Sequence, residues 1–90
     1  MESLGYIIEQ SKKRDIIDLI RDIAEEYGIK FNVIDVLGIN DKEHTIEIVD
    51  VSIKDTDSYI NNILYKVIKK VFDEVELRIG YSIKQKRIRI

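Results

Sequence analysis

Ile29-Lys30-Phe31-Asn32-Val33-Ile34-Asp35-Val36 and Ile46-Glu47-Ile48-Val49-Asp50-Val51-Ser52-Ile53 read as the two arms of one β-hairpin, and how they pair decides the fold. With the turn centred on Asp41, every apolar residue meets another: Ile29 with Ile53, Phe31 with Val51, Val33 with Val49, Ile34 with Ile48, and Val36 with Ile46. Such cross-strand pairs are the stabilising unit of a sheet. Because side chains alternate faces with period two, the first three pairs share one face and the last two the other. The apolar side therefore switches halfway along the hairpin. The distal face would leave four β-branched side chains in water unless a covering element, or a second chain, lies over them.

Composition bounds the rest. Ninety residues make one domain, 1–90, large enough for a single modest core, and a dimer interface would add to it. The chain is 44% hydrophobic and 36% charged, the balance of a well-patterned globule and not of a disordered tail. With no Cys there is no disulfide or thiolate chemistry, and the single His44 cannot make a histidine-rich metal site. The N-terminal run Met-Glu-Ser-Leu-Gly-Tyr has no basic segment ahead of a long apolar stretch, and no run approaches a membrane span. A cytoplasmic protein without membrane insertion is the expectation. Zero Pro and heavy use of Ile, Lys and Glu lean towards a thermophilic source.

Along the chain, Leu4 to Glu9 reads as a short strand and Ser11 as the cap of a helix carrying Ile16, Ile17, Leu19, Ile20, Ile23, Ala24 and Tyr27, ended by Gly28 at C′. The hairpin turns through Asn40-Asp41-Lys42. Asp55 or Thr56 then starts a second helix with Tyr59, Ile60, Ile63, Leu64, Val67, Ile68, Val71 and Phe72 as its apolar stripe, and Val75, Leu77, Ile79, Tyr81 and Ile83 alternate as a final strand. This order predicts the α+β class, as a two-layer ferredoxin-like sandwich, β-α-β-β-α-β, with a long hairpin and a C-terminal strand extension. Ile29, Phe31, Val33, Val49, Val51 and Ile53 are expected on the helix-covered face.

After Ile83 the apolar phase moves to Ile88 and Ile90, so hairpin and tail change phase near one end. The tail folds back over its own hairpin, or tails and arms exchange across a twofold dimer. The second reading makes Ile34, Val36, Ile46, Ile48, Ile88 and Ile90 an interface, with a homo-oligomer, most simply a dimer, as the product. Charge is divided to match: residues 66–90 carry a net +5 and residues 1–65 a net −7. In the same pairing Asp35 faces Glu47, a like-charge pair that calls for a Lys or Arg from the basic tail; simple solvation is the bland alternative and a divalent cation a third.

Gly5-Tyr6-Ile7-Ile8-Glu9-Gln10 and Gly80-Tyr81-Ser82-Ile83-Lys84-Gln85 form a near-repeat, each followed by basic residues. Were these neighbouring strands, Tyr6 and Tyr81 with Lys12, Lys13, Arg14, Lys84, Lys86 and Arg87 would suit a single-stranded RNA reader, bases stacking on the rings and cations holding phosphates. Against this stand a net charge of −2, the absence of an RNA-recognition octapeptide, and the simpler role of both tyrosines in packing. No Ser, Cys or Asp motif surrounds His44, no glycine-rich loop opens a helix, and Glu25-Glu26 and Asp73-Glu74 fit solvated helix ends. No catalytic residue and no cofactor follow from the sequence.

From Ile16 to Ile83 the order helix, hairpin, helix, strand resembles the cytoplasmic C-terminal domain of cation-diffusion-facilitator transporters, most closely in Val33-Ile34-Asp35-Val36, Ile46-Glu47-Ile48-Val49-Asp50-Val51 and the run from Thr56 to Phe72. That resemblance implies a dimerising domain; the family's metal-sensing histidines have no counterparts here. Small regulatory ligand-binding domains share a similar order. The sequence thus points to a non-enzymatic, self-associating interaction or regulatory module, with RNA binding, or small-ligand or metal response, as alternatives.

Overall fold

The computed structural model describes residues 4–54 and 61–90. Helix α1 spans Leu4–Glu26, strands β1, β2 and β3 span Val33–Val36, Ile39–Asn40 and Thr45–Ser52, helix α2 spans Asn61–Ile79 and strand β4 spans Ser82–Arg89. It is a small α+β fold in which two helices and a four-strand sheet share one core. The expected caps of α2 at Asp55 or Thr56, and Tyr59 and Ile60 of its stripe, lie outside the described residues. No helix of the described residues is long and apolar enough to cross a membrane.

The expected first strand is helical. Leu4 to Glu9 runs without a break into the segment that Ser11 was expected to cap. Between Ile8 and Ile16 lie Glu, Gln, Lys and Arg, good helix formers, and no Gly or Pro that would end one element and begin another. At its other end α1 closes as the sequence indicates. Gly28, at φ +76°, occupies C′; its N–H donates to Glu25 O at 3.0 Å and that of Ile29 to Ala24 O at 2.8 Å, the two bonds of a Schellman motif.

Val75 to Ile79 is the second correction. These residues alternate like a strand, but they also continue the helical series Ile68, Val71, Phe72, Val75, all fully buried in the final turns of α2. The helical period prevails because it puts those four side chains in the core, and it leaves Leu77 79% exposed on the outer side. Gly80, at φ +71°, stops the helix with one bond from its N–H to Glu76 O at 2.9 Å.

The hairpin exists, in a different register. Val33 pairs with Ser52, Ile34 with Val51, Asp35 with Asp50, Val36 with Val49 and Ile39 with Ile46, three residues away from the expected alignment. The reason lies in the turn. Asn40 Oδ1 accepts the Glu43 N–H at 3.1 Å and His44 adopts a left-handed φ of 52°, so four residues, Asp41 to His44, separate the paired Asn40 and Thr45. Strand pairing also begins only at Val33. Ile29 and Phe31 reach the core from the connecting segment, while Val33 turns outward, 43% exposed, instead of lying under the helices.

Strand β3 is central, antiparallel to β1 and β2 on one side and parallel to β4 on the other. The phase switch is present in all three layers of strand at one level: Val36 to Ile39, Ile46 to Val49, Ile83 to Lys86, each pair in register with its neighbours. Residues of both phases are nevertheless buried in the one core. Val36 and Ile46 are accordingly 2% and 0% exposed within the single chain, in one cluster with Ile20, Ile23, Ile68 and Phe72. Ile34, Ile88 and Ile90 are half-buried against the same cluster. The chain covers most of its own distal hairpin, which takes Val36 and Ile46 out of any interface.

Candidate functional site

Two regions of the folded chain carry exposed chemistry. The first is the sheet face turned away from the helices. Alternation puts Val33, Asp35 and Leu37 outward on one edge, Ile48, Asp50 and Ser52 in the middle, and Gln85, Arg87 and Arg89 on the other edge. Register then lines them up in three rows: Val33 with Ser52 and Arg89, Asp35 with Asp50 and Arg87, and Leu37 with Ile48 and Gln85. One edge is acidic and apolar, with Leu37 47% exposed. The other is basic.

Asp50, and not Glu47, stands opposite Asp35. Two facing carboxylates repel, and the basic tail supplies the cation the sequence calls for: Arg89 Nη2 lies 3.2 Å from Asp50 Oδ2. Asp50 Oδ1 is buried without a hydrogen-bond partner, while Arg87, next in the row, makes no ion pair among the described residues. Glu47 instead lies over Gly38 and pairs with Lys84 at 3.6 Å, and Lys84 also reaches Glu43 at 3.5 Å. Among the interface residues expected from sequence, Ile48 alone belongs to this face.

The second region joins three elements at one carboxylate. Asp41, in the hairpin turn, accepts from Lys12 Nζ of α1 at 2.8 Å and from Tyr81 Oη, just before β4, at 2.6 Å. The Tyr81 ring meets His44 edge-on, with centroids 5.4 Å apart and planes at 81°. The Lys12 hydrogen bond, followed by that of Tyr81, holds the Asp41 carboxyl below its ordinary range, and the bond to Asp41 raises both Lys12 and Tyr81. Each group is pushed deeper into the form it already has at neutral pH. Activated lysine or tyrosine chemistry needs the reverse shift, so this junction works as a clamp on the hairpin tip.

The residues expected to read RNA do not assemble. Tyr6 lies in α1, not in a strand beside Tyr81, and its side chain is outside the described residues. Lys12 is held by Asp41, Lys13 lies 3.8 Å from Glu9, Lys84 is shared by Glu43 and Glu47, and Lys86 sits 3.2 Å from Glu76. Arg14 and Arg87 are the two of the set left exposed without an ion pair among the described residues, on different layers of the fold. Three cations of the tail, Arg78, Lys84 and Arg89, pair with acids of the first 65 residues. Among the described residues no three His, Cys, Asp or Glu side chains gather as metal ligands. The convergence on Asp41 had no signature in the sequence beyond the turn position itself, because its partners stand 29 and 40 residues away.

Comparisons with protein-family models, with curated proteins and with solved structures return no match.

Proposed function

We propose that this protein is a non-enzymatic interaction or regulatory module that self-associates through the outer face of its sheet. The observation that carries the reading is the division of that face into an acidic, apolar edge and a basic edge at the same strand level. A twofold axis parallel to β3 lays the β1 edge of one copy over the β4 edge of the other without shifting the level along the strand. Asp35 of each copy then faces Arg87 of its partner, Ile48 packs near the axis on Ile48, and Asp50, which meets its own copy there, is countered by Arg89 of its own chain. Opposed charges set the orientation of such an interface, and the exposed Leu37 and Val33 supply apolar area at its rim.

Two further features support the reading. The element order helix, hairpin, helix, strand is the one on which the resemblance to the dimerising transporter domain rests, although the last strand is Ser82–Arg89 and pairs directly with β3, where a ferredoxin-like sheet would seat its first strand. The bonds of Lys12 and Tyr81 to Asp41 also tie the hairpin tip to α1 and to the start of β4, so the arms are offered for docking in one arrangement.

The test is a charge exchange read by sedimentation equilibrium. Asp35→Arg and Arg87→Asp each abolish the dimer, and the double variant restores it, because the two residues meet only across the axis. Equal dimerisation by all four proteins, or a double variant no better than the singles, overturns the assignment of this face.

A further inference from the structure

Behind the clamp, on the helix side of the sheet, lies a cavity of about 230 Å³ lined by Lys12, Asp15, Ile16, Ile39, Ile79 and Tyr81. Its walls come from three elements: Ile16 of α1, Ile39 of β2 and Ile79 at the end of α2. Three isoleucines give it an apolar interior, and all three are only partly buried against the core, so the space is open to a guest. A dry apolar cavity of roughly 150 Å³ already admits a benzene-sized molecule. The volume here suits a branched or cyclic hydrocarbon of about five or six carbons, below the range of drug-sized pockets.

The polar residues at the mouth define the head group. Lys12 and Asp41 neutralise one another at 2.8 Å, and the Tyr81 hydroxyl is spent on the same carboxylate. Asp15 lies three residues from Lys12, on the same side of α1, and has no ion pair among the described residues. The unmatched charge at the mouth is therefore negative. A ligand carboxylate would have to compete with Asp41 for Lys12, whereas a ligand ammonium meets Asp15 unopposed.

We infer that this cavity binds a small branched aliphatic compound bearing a primary ammonium group, its hydrocarbon between Ile16, Ile39 and Ile79 and its nitrogen on Asp15. A free amine and an aliphatic α-amino acid share that chemistry. An occupant touches α1, the outer hairpin arm and the α2–β4 joint at once, the elements that the clamp also joins. Binding therefore stiffens the hairpin tip. The site lies on the opposite side of the sheet from the proposed dimer face and does not depend on it.

The test is a titration of the full chain with 3-methylbutylamine and, separately, with leucine, followed by methyl NMR of the isoleucines. Saturable shifts are expected at Ile16, Ile39 and Ile79, with a dissociation constant on the order of 1 mM for so few ligand atoms. Asp15→Asn, a change at an exposed helix position, weakens amine binding at least tenfold and leaves the weaker binding of uncharged 3-methylbutanol unchanged. Binding of the amine alone identifies a simple amine as the ligand, and binding of leucine as well extends it to amino acids. Absence of shifts with both, shifts confined to the Asp35 and Asp50 face, or an Asp15→Asn variant that binds the amine as well as the parent overturns the inference. The Asp35→Arg variant, monomeric if the dimer face is right, must bind the amine unchanged, so the two proposals fail separately.

Discussion

Ile46→Ala is the perturbation that tests the burial of the phase switch most directly. Ile46 is fully buried at the level where all three strands change phase, in register with Ile39 on one side and Ile83 on the other. Truncation removes three carbon groups, about 2.4 kcal/mol at about 0.8 kcal/mol each, and a residual void of roughly 50 Å³ adds about 1 kcal/mol. A loss of about 3.5 kcal/mol is a large share of the roughly 5–13 kcal/mol expected for a chain of this length. Thermal unfolding followed by circular dichroism should fall by roughly 15–25 °C, at every protein concentration. Ile48→Ala, two residues along on the outer face, should cost no more than about 1 kcal/mol, with a shift that grows with protein concentration as dimer is lost. Equal losses for the two variants, or an Ile46→Ala protein that melts like the parent, would refute the assignment of Ile46 to the chain's own core.

Glycine replacements separate backbone need from packing. Gly80→Ala puts a Cβ on a left-handed residue and should lower stability by about 1 kcal/mol in urea unfolding, whereas at Gly38 the new Cβ meets Glu47 Cβ at 3.4 Å, an ordinary contact, and Glu47 Cγ at 3.1 Å, on a half-exposed side chain whose Cγ can rotate aside. Gly38→Ala should therefore be neutral or stabilising by about 0.5 kcal/mol, through the restricted unfolded chain, and a loss as large as that at Gly80 would show that the arm cannot give there. The clamp predicts a pH window. A lowered Asp41 contributes stability above its unfolded value, lost as pH falls through the folded one; raised Lys12 and Tyr81 contribute below theirs, lost as pH rises through the folded ones. The contribution of these bonds to thermal stability should thus be lost in acid below about pH 4 and in alkali above about pH 10, as unfolding followed by circular dichroism across pH would show. In Asp41→Ala the Tyr81 phenol should titrate at lower pH than in the parent, and an unchanged titration would remove Asp41 as its partner.

Features set by neighbouring residues were legible in the sequence. Gly28 ends α1 because a left-handed C′ residue is a local backbone requirement, and the stripes Ile16 to Ala24 and Leu64 to Phe72 form helices because a 3.6-residue period is written into consecutive positions. A tail cation expected at Asp35 and Glu47 is found, among the described residues, at Glu47 alone, as Lys84, while Arg89 goes to Asp50, the acid that the actual register sets opposite Asp35. Where two periods fit the same letters, the fold had to choose. Val75 to Ile79 alternate and also recur at three and four; burial against the core selects the helix, a quantity no window of sequence contains. Leu4 to Glu9 is strand-like by composition, but nothing in the chain separates it from the helix that follows. The hairpin register turned on one left-handed residue, His44, and on an Asn40 side chain that lengthens the loop. That displacement changed the candidate site most. An apolar phase switch seen along single strands reads as exposed surface, but made at one level by three paired strands it is buried in the one core. The outer face, the Asp41 clamp and the cavity behind it consist of residues brought together across tens of positions, and such proximity arises only when the chain has closed.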